Sequence, residues 1–112
     1  MSRCKSCAVI PEDVRRAADV FERRYAVSIL YAASHHGCTR FSEFRQALGS
    51  IPPGTLAQRL TELEQAGVLR RELRDARPPH VEYVLTPAGE RLRALVDALA
   101  AWARARPARL DA

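Results

Sequence analysis

Three groups of residues carry side chains able to do chemistry. Cys4 and Cys7 are separated by two residues, a spacing that suits a redox-active thiol pair or half of a tetrahedral zinc site. His35-His36-Gly37-Cys38 is a second close-set cluster that could complete such a site. Thr55, Gln58 and Arg59 lie in one short run bounded by prolines and a glycine. Glutamine pairs bidentately with adenine, and arginine with guanine, in a DNA major groove, so this third group suits the reading of base edges. The cysteines have three readings: a thiol switch involving Cys4, Cys7 and Cys38, a metal site, or an ordinary tail with Cys38 as a buried apolar filler. A single CxxC does not choose among them, and no metal or cofactor is assigned.

Catalysis fits poorly. The chain lacks a glycine-rich phosphate loop, a pair of carboxylates with partners, and a credible nucleophile–base–acid set; Ser34-His35 alone is no catalytic signature. A non-enzymatic protein is expected.

The chain of 112 residues is long enough for one domain and one core. Its 47% hydrophobic content excludes disorder by composition. No apolar run approaches the roughly 20 residues of a membrane span, and the N-terminal residues lack the apolar core of a secretory signal. A cytoplasmic protein without membrane contact, its thiols reduced, is expected. The net charge of +5 hints at an acidic partner such as nucleic acid. The hint is weak, because acidic residues interleave with basic ones and residues 51–86 carry as many of each.

These side chains need elements to position them. Pro11 suits a first helical turn, with Glu12 and Asp13 against its positive end. Val14, Ala17, Ala18 and Phe21 follow at helical spacing, then Val27, Ile29, Leu30 and Tyr31. One long helix to about Ser34, or two meeting near Glu22–Arg24, would both satisfy the pattern. Thr39–Phe41 reads as extended. Ser42 is positioned to cap a helix over Glu43–Leu48. Pro52 and Pro53 open the next helix, whose Leu56, Leu60 and Leu63 make one narrow apolar stripe ending at Gly67. Val68, Leu69 and Leu73, then Val81, Tyr83 and Leu85, predict two strands joined by an exposed turn over Arg74–Pro79. Thr86 and Pro87 start a last helix presenting Leu92, Leu95, Val96, Leu99, Trp102 and Ala103, and Pro107 ends it. The expected fold is mainly α with a small β-hairpin wing: a winged helix-turn-helix. Residues 1–10 read as a flexible head, 11–107 as the domain, and 108–112 as a tail.

Three stretches carry a resemblance to a known family. They are Arg40-Phe41-Ser42-Glu43-Phe44-Arg45-Gln46-Ala47-Leu48; Leu56-Ala57-Gln58-Arg59-Leu60 with Leu63-Glu64-Gln65-Ala66-Gly67-Val68-Leu69-Arg70-Arg71; and Pro79-His80-Val81-Glu82-Tyr83-Val84-Leu85-Thr86-Pro87-Ala88-Gly89. In order and spacing they resemble the HxlR-type winged helix-turn-helix transcription regulators, within the MarR-like superfamily, over about residues 12–104. The last string is the most specific. There are departures. Glu22-Arg23-Arg24-Tyr25 stands where the family usually has Gly-Gly-Lys-Trp, no cysteine stands near Pro11–Glu12, and Pro52 replaces a capping serine.

The resemblance implies a homodimer that binds double-stranded DNA and regulates transcription. The expected DNA contacts are Pro53, Gly54, Thr55, Gln58 and Arg59 on the recognition helix, Arg74 and Arg77 at the wing, and Arg40 and Arg45 on the backbone. Arg59 could instead touch phosphate or only solvent, and the wing arginines could be balanced by Glu72 and Asp75. Phe21, Leu92, Leu95, Leu99 and Trp102 are the expected dimer interface; packing of the last helix onto the first within one chain is the alternative. The expected function is a sequence-specific regulator on an inverted repeat, responsive to thiol chemistry. A protein-interaction module without DNA binding is the competing reading, and the near-neutral wing favours it.

Overall fold

The computed structural model describes residues 8–106, so Cys4 and Cys7 lie outside the described residues. Helices α1 (Glu12–Phe21) and α2 (Ala26–His35) are separate. The break falls at Tyr25, which adopts the left-handed conformation with φ 77°. A β-carbon makes that conformation cost about 1–2 kcal/mol, so something must hold it. The Arg24 guanidinium lies 5.1 Å over the Tyr25 ring, and the Arg24 carbonyl is gripped from a later helix, as described below. Neither glycine nor proline marks this break, which is why the sequence left two arrangements open.

Helix α3 (Phe41–Leu48) begins two residues before the sequence predicts. Ser42 is therefore inside the helix, and Glu43 does the capping. Its carboxylate accepts from the Thr39 and Arg40 backbone N–H groups at 2.9 and 3.1 Å. Both bonds favour the charged form and hold the Glu43 carboxyl below its ordinary pKa. Helix α4 (Pro53–Gln65) starts at Pro53, and Pro52 before it supplies no side-chain cap, as the sequence requires. Its C-terminus closes on Gly67 (φ 80°): Val68 N–H reaches Leu63 O at 2.9 Å and Gly67 N–H reaches Glu64 O at 3.0 Å.

Strands β1 (Leu69–Arg74) and β2 (His80–Leu85) form the predicted antiparallel hairpin, with Leu69 opposite Leu85 and Arg74 opposite His80. Tyr83 N–H donates to Thr39 O at 2.8 Å, tying the wing to the loop before α3. The last predicted helix is in two pieces, α5 (Pro87–Glu90) and α6 (Arg93–Ala105). Leu92 N–H bonds three residues back to Gly89 O, a tighter turn that lets Leu92 pack on the core. Thr86 caps α5 by accepting from Gly89 N–H at 3.0 Å, and donates to the carbonyls of Gly67 and Val68. A β-carbon on Gly89 would sit 2.2 Å from the Val68 carbonyl oxygen. Only glycine lets α5 lie this close to the start of the wing, so the Leu85-Thr86-Pro87-Ala88-Gly89 string is a packing requirement.

The core joins Ile29, Leu30 and Ala32 of α2, Phe44 of α3, Leu56, Leu60 and Leu63 of α4, Leu69 of β1 and Val96 of α6. Ile29, Phe44, Leu56 and Leu60 are fully buried. Helix α4 is thereby held rigidly by one side, leaving its opposite side for other work.

Candidate nucleic-acid interface

With Leu56, Leu60 and Leu63 buried, helical geometry turns Gly54, Ala57, Gln58 and Thr61 outward, and all four are exposed. They form one continuous stripe, three and four residues apart, with no charge and no bulk at its centre. Pro53 is exposed at the head of the helix, and Thr55 is half-buried at its edge. Ala57 escapes a search for polar base readers. Only its place opposite the leucine stripe points to it, and its methyl suits the thymine methyl in a major groove.

Arg59, expected as a base reader, is turned elsewhere. Its Nε donates to the Arg24 carbonyl at 2.9 Å, and its Nη1 lies 3.3 Å from a Glu62 oxygen. The side chain is 16% exposed, which places it against the α1–α2 turn and away from the outward stripe. Magnitudes separate it from Gln58. Releasing a hydrogen-bonded guanidinium costs about 1.5–3 kcal/mol, the same size as the roughly 1–3 kcal/mol a bidentate base pair returns. Gln58 donates only to Glu62, at 3.2 Å, in an exposed pair one turn apart. Such a pair contributes about 0.2–0.5 kcal/mol, so Gln58 is free to change partner.

The wing arginines divide in the same way. Arg74 bridges two carboxylates, Nη2 to Glu72 at 2.7 Å and Nε to Glu82 at 3.0 Å. Glu72 and Glu82 are directly opposite on the two strands, where like charges repel, and Arg74 relieves that repulsion. Arg70 holds Glu72 at 2.6 Å, and His80 holds Glu82 at 2.9 Å. Hydrogen bonds from His80 and then Arg74 keep the Glu82 carboxyl below its usual pKa, and Glu82 followed by Glu72 pushes Arg74 further up. Arg74, expected to take phosphate, is paired within the wing while 46% of its side chain stays exposed. Arg77 in the loop beyond it is exposed, as are Arg40 at the start of α3 and Arg45 in its last turn.

The candidate thiol and metal groups also separate. Cys38 is buried, its Sγ 3.7 Å from the Glu43 carbonyl it faces. Burial, and then the Glu43 charge, push its pKa up, the opposite of what a reactive thiolate needs. Both observations favour the apolar-filler reading of Cys38 over a part in a thiol switch. Among the described residues no three His, Cys, Asp or Glu side chains are grouped to hold a metal. His35 Nε2 is 2.6 Å from Asp97 of α6, and its ring stacks on Tyr31 at 4.5 Å. Ser34 donates to the Leu30 carbonyl one turn back at 2.7 Å. His35 and Asp97 thus tether α2 to α6, while the Ser34 hydroxyl bonds within its own helix.

The expected interface residues fall in two sets. Phe21 and Leu92 are half-buried and pack on the chain's own core. Leu95, Leu99 and Trp102 stay exposed along one ridge of α6, beside exposed Tyr31 of α2. Helix α6 packs on α2.

A helix-turn-helix whose second helix keeps an unpacked outer face, followed by a two-stranded wing, defines the winged helix-turn-helix class. The chain belongs to the HxlR-like helix-turn-helix family, whose model matches residues 20–109. It is 47% identical over 79 residues to the HTH-type transcriptional regulator YtfH of Escherichia coli K12, itself uncharacterised, covering 70% of this chain and 62% of YtfH. The chain therefore spans less than two thirds of that relative's length. YvaP of Bacillus subtilis, named in the same way, is 33% identical over 88 residues, covering 79% of this chain and 81% of YvaP. The redox regulator HypR in its oxidized form superposes with a TM-score of 0.76 at 33% identity, covering 85% of this chain and 97% of that one.

Proposed function

We propose that the protein is a sequence-specific, double-stranded-DNA-binding transcription regulator that acts as a homodimer in the cytoplasm and has no catalytic role. The observation that carries this reading is the outer face of α4. Gly54, Ala57, Gln58 and Thr61 are presented on a helix fixed by its buried leucines, and all four stay exposed among the described residues. A second helix with this exposure enters a major groove, while Arg40, Arg45 and Arg77 are free to meet phosphates. Pro53, Gly54 and Thr55 approach the backbone at the head of α4. The names of YtfH and YvaP, both transcriptional regulators, support the same reading.

The dimer is argued from exposed apolar surface. Leu99 is 41% and Trp102 58% exposed on α6, and Val14 is 51% exposed on α1. Helix α6 borders an apolar hollow of about 490 Å³ lined by Tyr25, Val27, Tyr31, Leu48, Val96 and Leu99. The radius of gyration is 16.9 Å, against about 13 Å for a compact chain of this length. A second copy would cover this surface through Leu95, Leu99 and Trp102, setting two recognition helices in successive grooves roughly 34 Å apart on an inverted repeat. Regulation then follows from steric control of polymerase. Among the described residues no helix is long and apolar enough to cross a membrane.

A thiol response is part of the proposal and rests on Cys4 and Cys7, with the likeness to HypR, a redox regulator by name, in support. Selection of duplexes from a random pool by the full chain, in reducing and oxidising buffer, tests the whole reading. Enrichment of one inverted repeat supports it, and a shift between buffers that is lost on changing both cysteines to serine supports the thiol component. No enrichment in either buffer favours a protein-interaction module instead.

A further inference from the structure

The outer face of α4 also says which bases it suits; this inference rests on the DNA-reading function proposed above. Guanine is read by arginine or lysine, adenine by glutamine or asparagine, and the thymine methyl by apolar contact from alanine or a threonine methyl. The α4 sequence has one cation, Arg59, and that side chain is held by the Arg24 carbonyl and Glu62. The outward residues are Gly54, Ala57, Gln58 and Thr61, with Pro53 and Gln65 exposed at the two ends of the helix, and none of them is a bidentate guanine reader. Glycine at the head of the stripe lets the helix approach closely, and alanine in the next turn keeps that approach open.

We propose that α4 reads A·T pairs, and that each operator half-site holds a short run of them at the centre of the major-groove contact. Gln58 takes N6 and N7 of an adenine, exchanging its weak bond to Glu62 for a bidentate pair. Ala57 and Thr61 lie one helical turn apart, about 6 Å along the axis, and their methyl groups pack on thymine methyls one or two base steps apart. Specificity then comes from uncharged groups on a face fixed by the core, while Arg40, Arg45 and Arg77 supply sequence-independent attraction.

The test uses the full chain and duplexes selected from a random pool. The expected half-site has two or three adjacent A·T pairs. Each thymine of the run is then replaced by uracil, which removes the methyl group and keeps the pairing. The parent should bind the uracil duplex roughly 3- to 10-fold more weakly. In a Thr61→Ser variant, and separately in Ala57→Gly, the thymine-to-uracil ratio should move toward one at a single position each. Gln58→Ala should lose its discrimination between adenine and guanine at one position, an effect of about 5- to 150-fold for a bidentate contact. Reading the ratio within each variant cancels any uniform weakening from a less stable helix, and Thr61→Ser, at an exposed site, preserves the fold. Enriched G·C pairs at the contacted positions, or a uracil penalty unchanged in both methyl variants, would overturn the inference while leaving DNA reading intact. Absence of any enriched sequence would overturn the inference together with the function beneath it.

Discussion

Replacing Arg59 by alanine separates a base reader from a residue that fixes the recognition helix. The structure gives this side chain two partners, the Arg24 carbonyl at 2.9 Å and Glu62 at 3.3 Å, with 16% of it exposed. A charged hydrogen bond contributes about 1.5–3 kcal/mol, and a longer surface-type pair about 0–1 kcal/mol. Solvent still reaches the site, so the lower end applies, and the expected loss is about 2 kcal/mol. Arg59 also holds the carbonyl of the residue before the left-handed Tyr25, so its loss should loosen the α1–α2 turn. An exposed arginine reaching out for DNA would instead change stability by less than about 0.5 kcal/mol. The assay is urea unfolding followed by circular dichroism at fixed protein concentration. The midpoint should fall with an unchanged slope, and in thermal melts Tm should drop by about 10 °C. Arg59→Lys should recover less than half, because an ammonium cannot reproduce the planar fork. Base preference of the stable fraction should not change. Unaltered stability together with lost discrimination at one G·C pair would refute the reasoning and return Arg59 to the DNA face.

Gly89→Ala should destabilise by about 1–3 kcal/mol, since its β-carbon would lie 2.2 Å from a backbone oxygen that cannot swing away; a thermal melt within 2 °C of the parent, on the roughly 5–15 °C drop expected, would contradict the close packing of α5 on the wing. The Glu43 carboxyl has its pKa lowered by the Thr39 and Arg40 N–H groups, so its stabilising effect is present above the ordinary carboxylate value and is lost as pH falls through the folded value. The stability difference between the parent and Glu43→Gln should therefore shrink on acidification, and a difference that grew at low pH would reverse the sign. Cys38 should react with an alkylating reagent much more slowly in the folded chain than in urea, as mass spectrometry of the tryptic peptide would show; equal rates would contradict its burial. Leu99→Glu and Trp102→Glu should each turn a dimer into a folded monomer in sedimentation, whereas an unchanged sedimentation coefficient would remove α6 from the interface.

The fold was legible because its punctuation is local. Pro53 opens α4, Gly67 closes it, and the leucines between them can bury only one face. Thr86 and Gly89 mark the wing's exit for a reason visible once Val68 lies beneath them. The α1–α2 break was not legible, because Tyr25 carries no turn signal and the carbonyl before it, that of Arg24, is held by Arg59, 35 residues beyond Arg24. Ser42 looked like a cap by residue type, but Glu43 reached both N–H groups and moved the helix start to Phe41. At the candidate site, residue type singled out Gln58, Arg59 and Arg74 alike and could not show which of them have partners within the chain. Arg59 has a long-range partner, a backbone carbonyl on another element, whereas Arg74 pairs with Glu72 two residues back, the balance the sequence offered, and with Glu82 on the opposite strand. Ala57 was missed because nothing in an alanine advertises recognition until the buried face of its helix is known.

The most direct test of the account is a titration of the full chain onto its selected duplex at several salt concentrations, with and without excess unrelated DNA, for the parent and for Gln58→Ala. The account predicts binding that survives competitor, affinity that falls steeply with salt as phosphate contacts release counterions, and a Gln58→Ala variant with the same salt slope but reduced preference for the selected site. Parent and variant that bind every duplex alike, or do not bind at all, would contradict it.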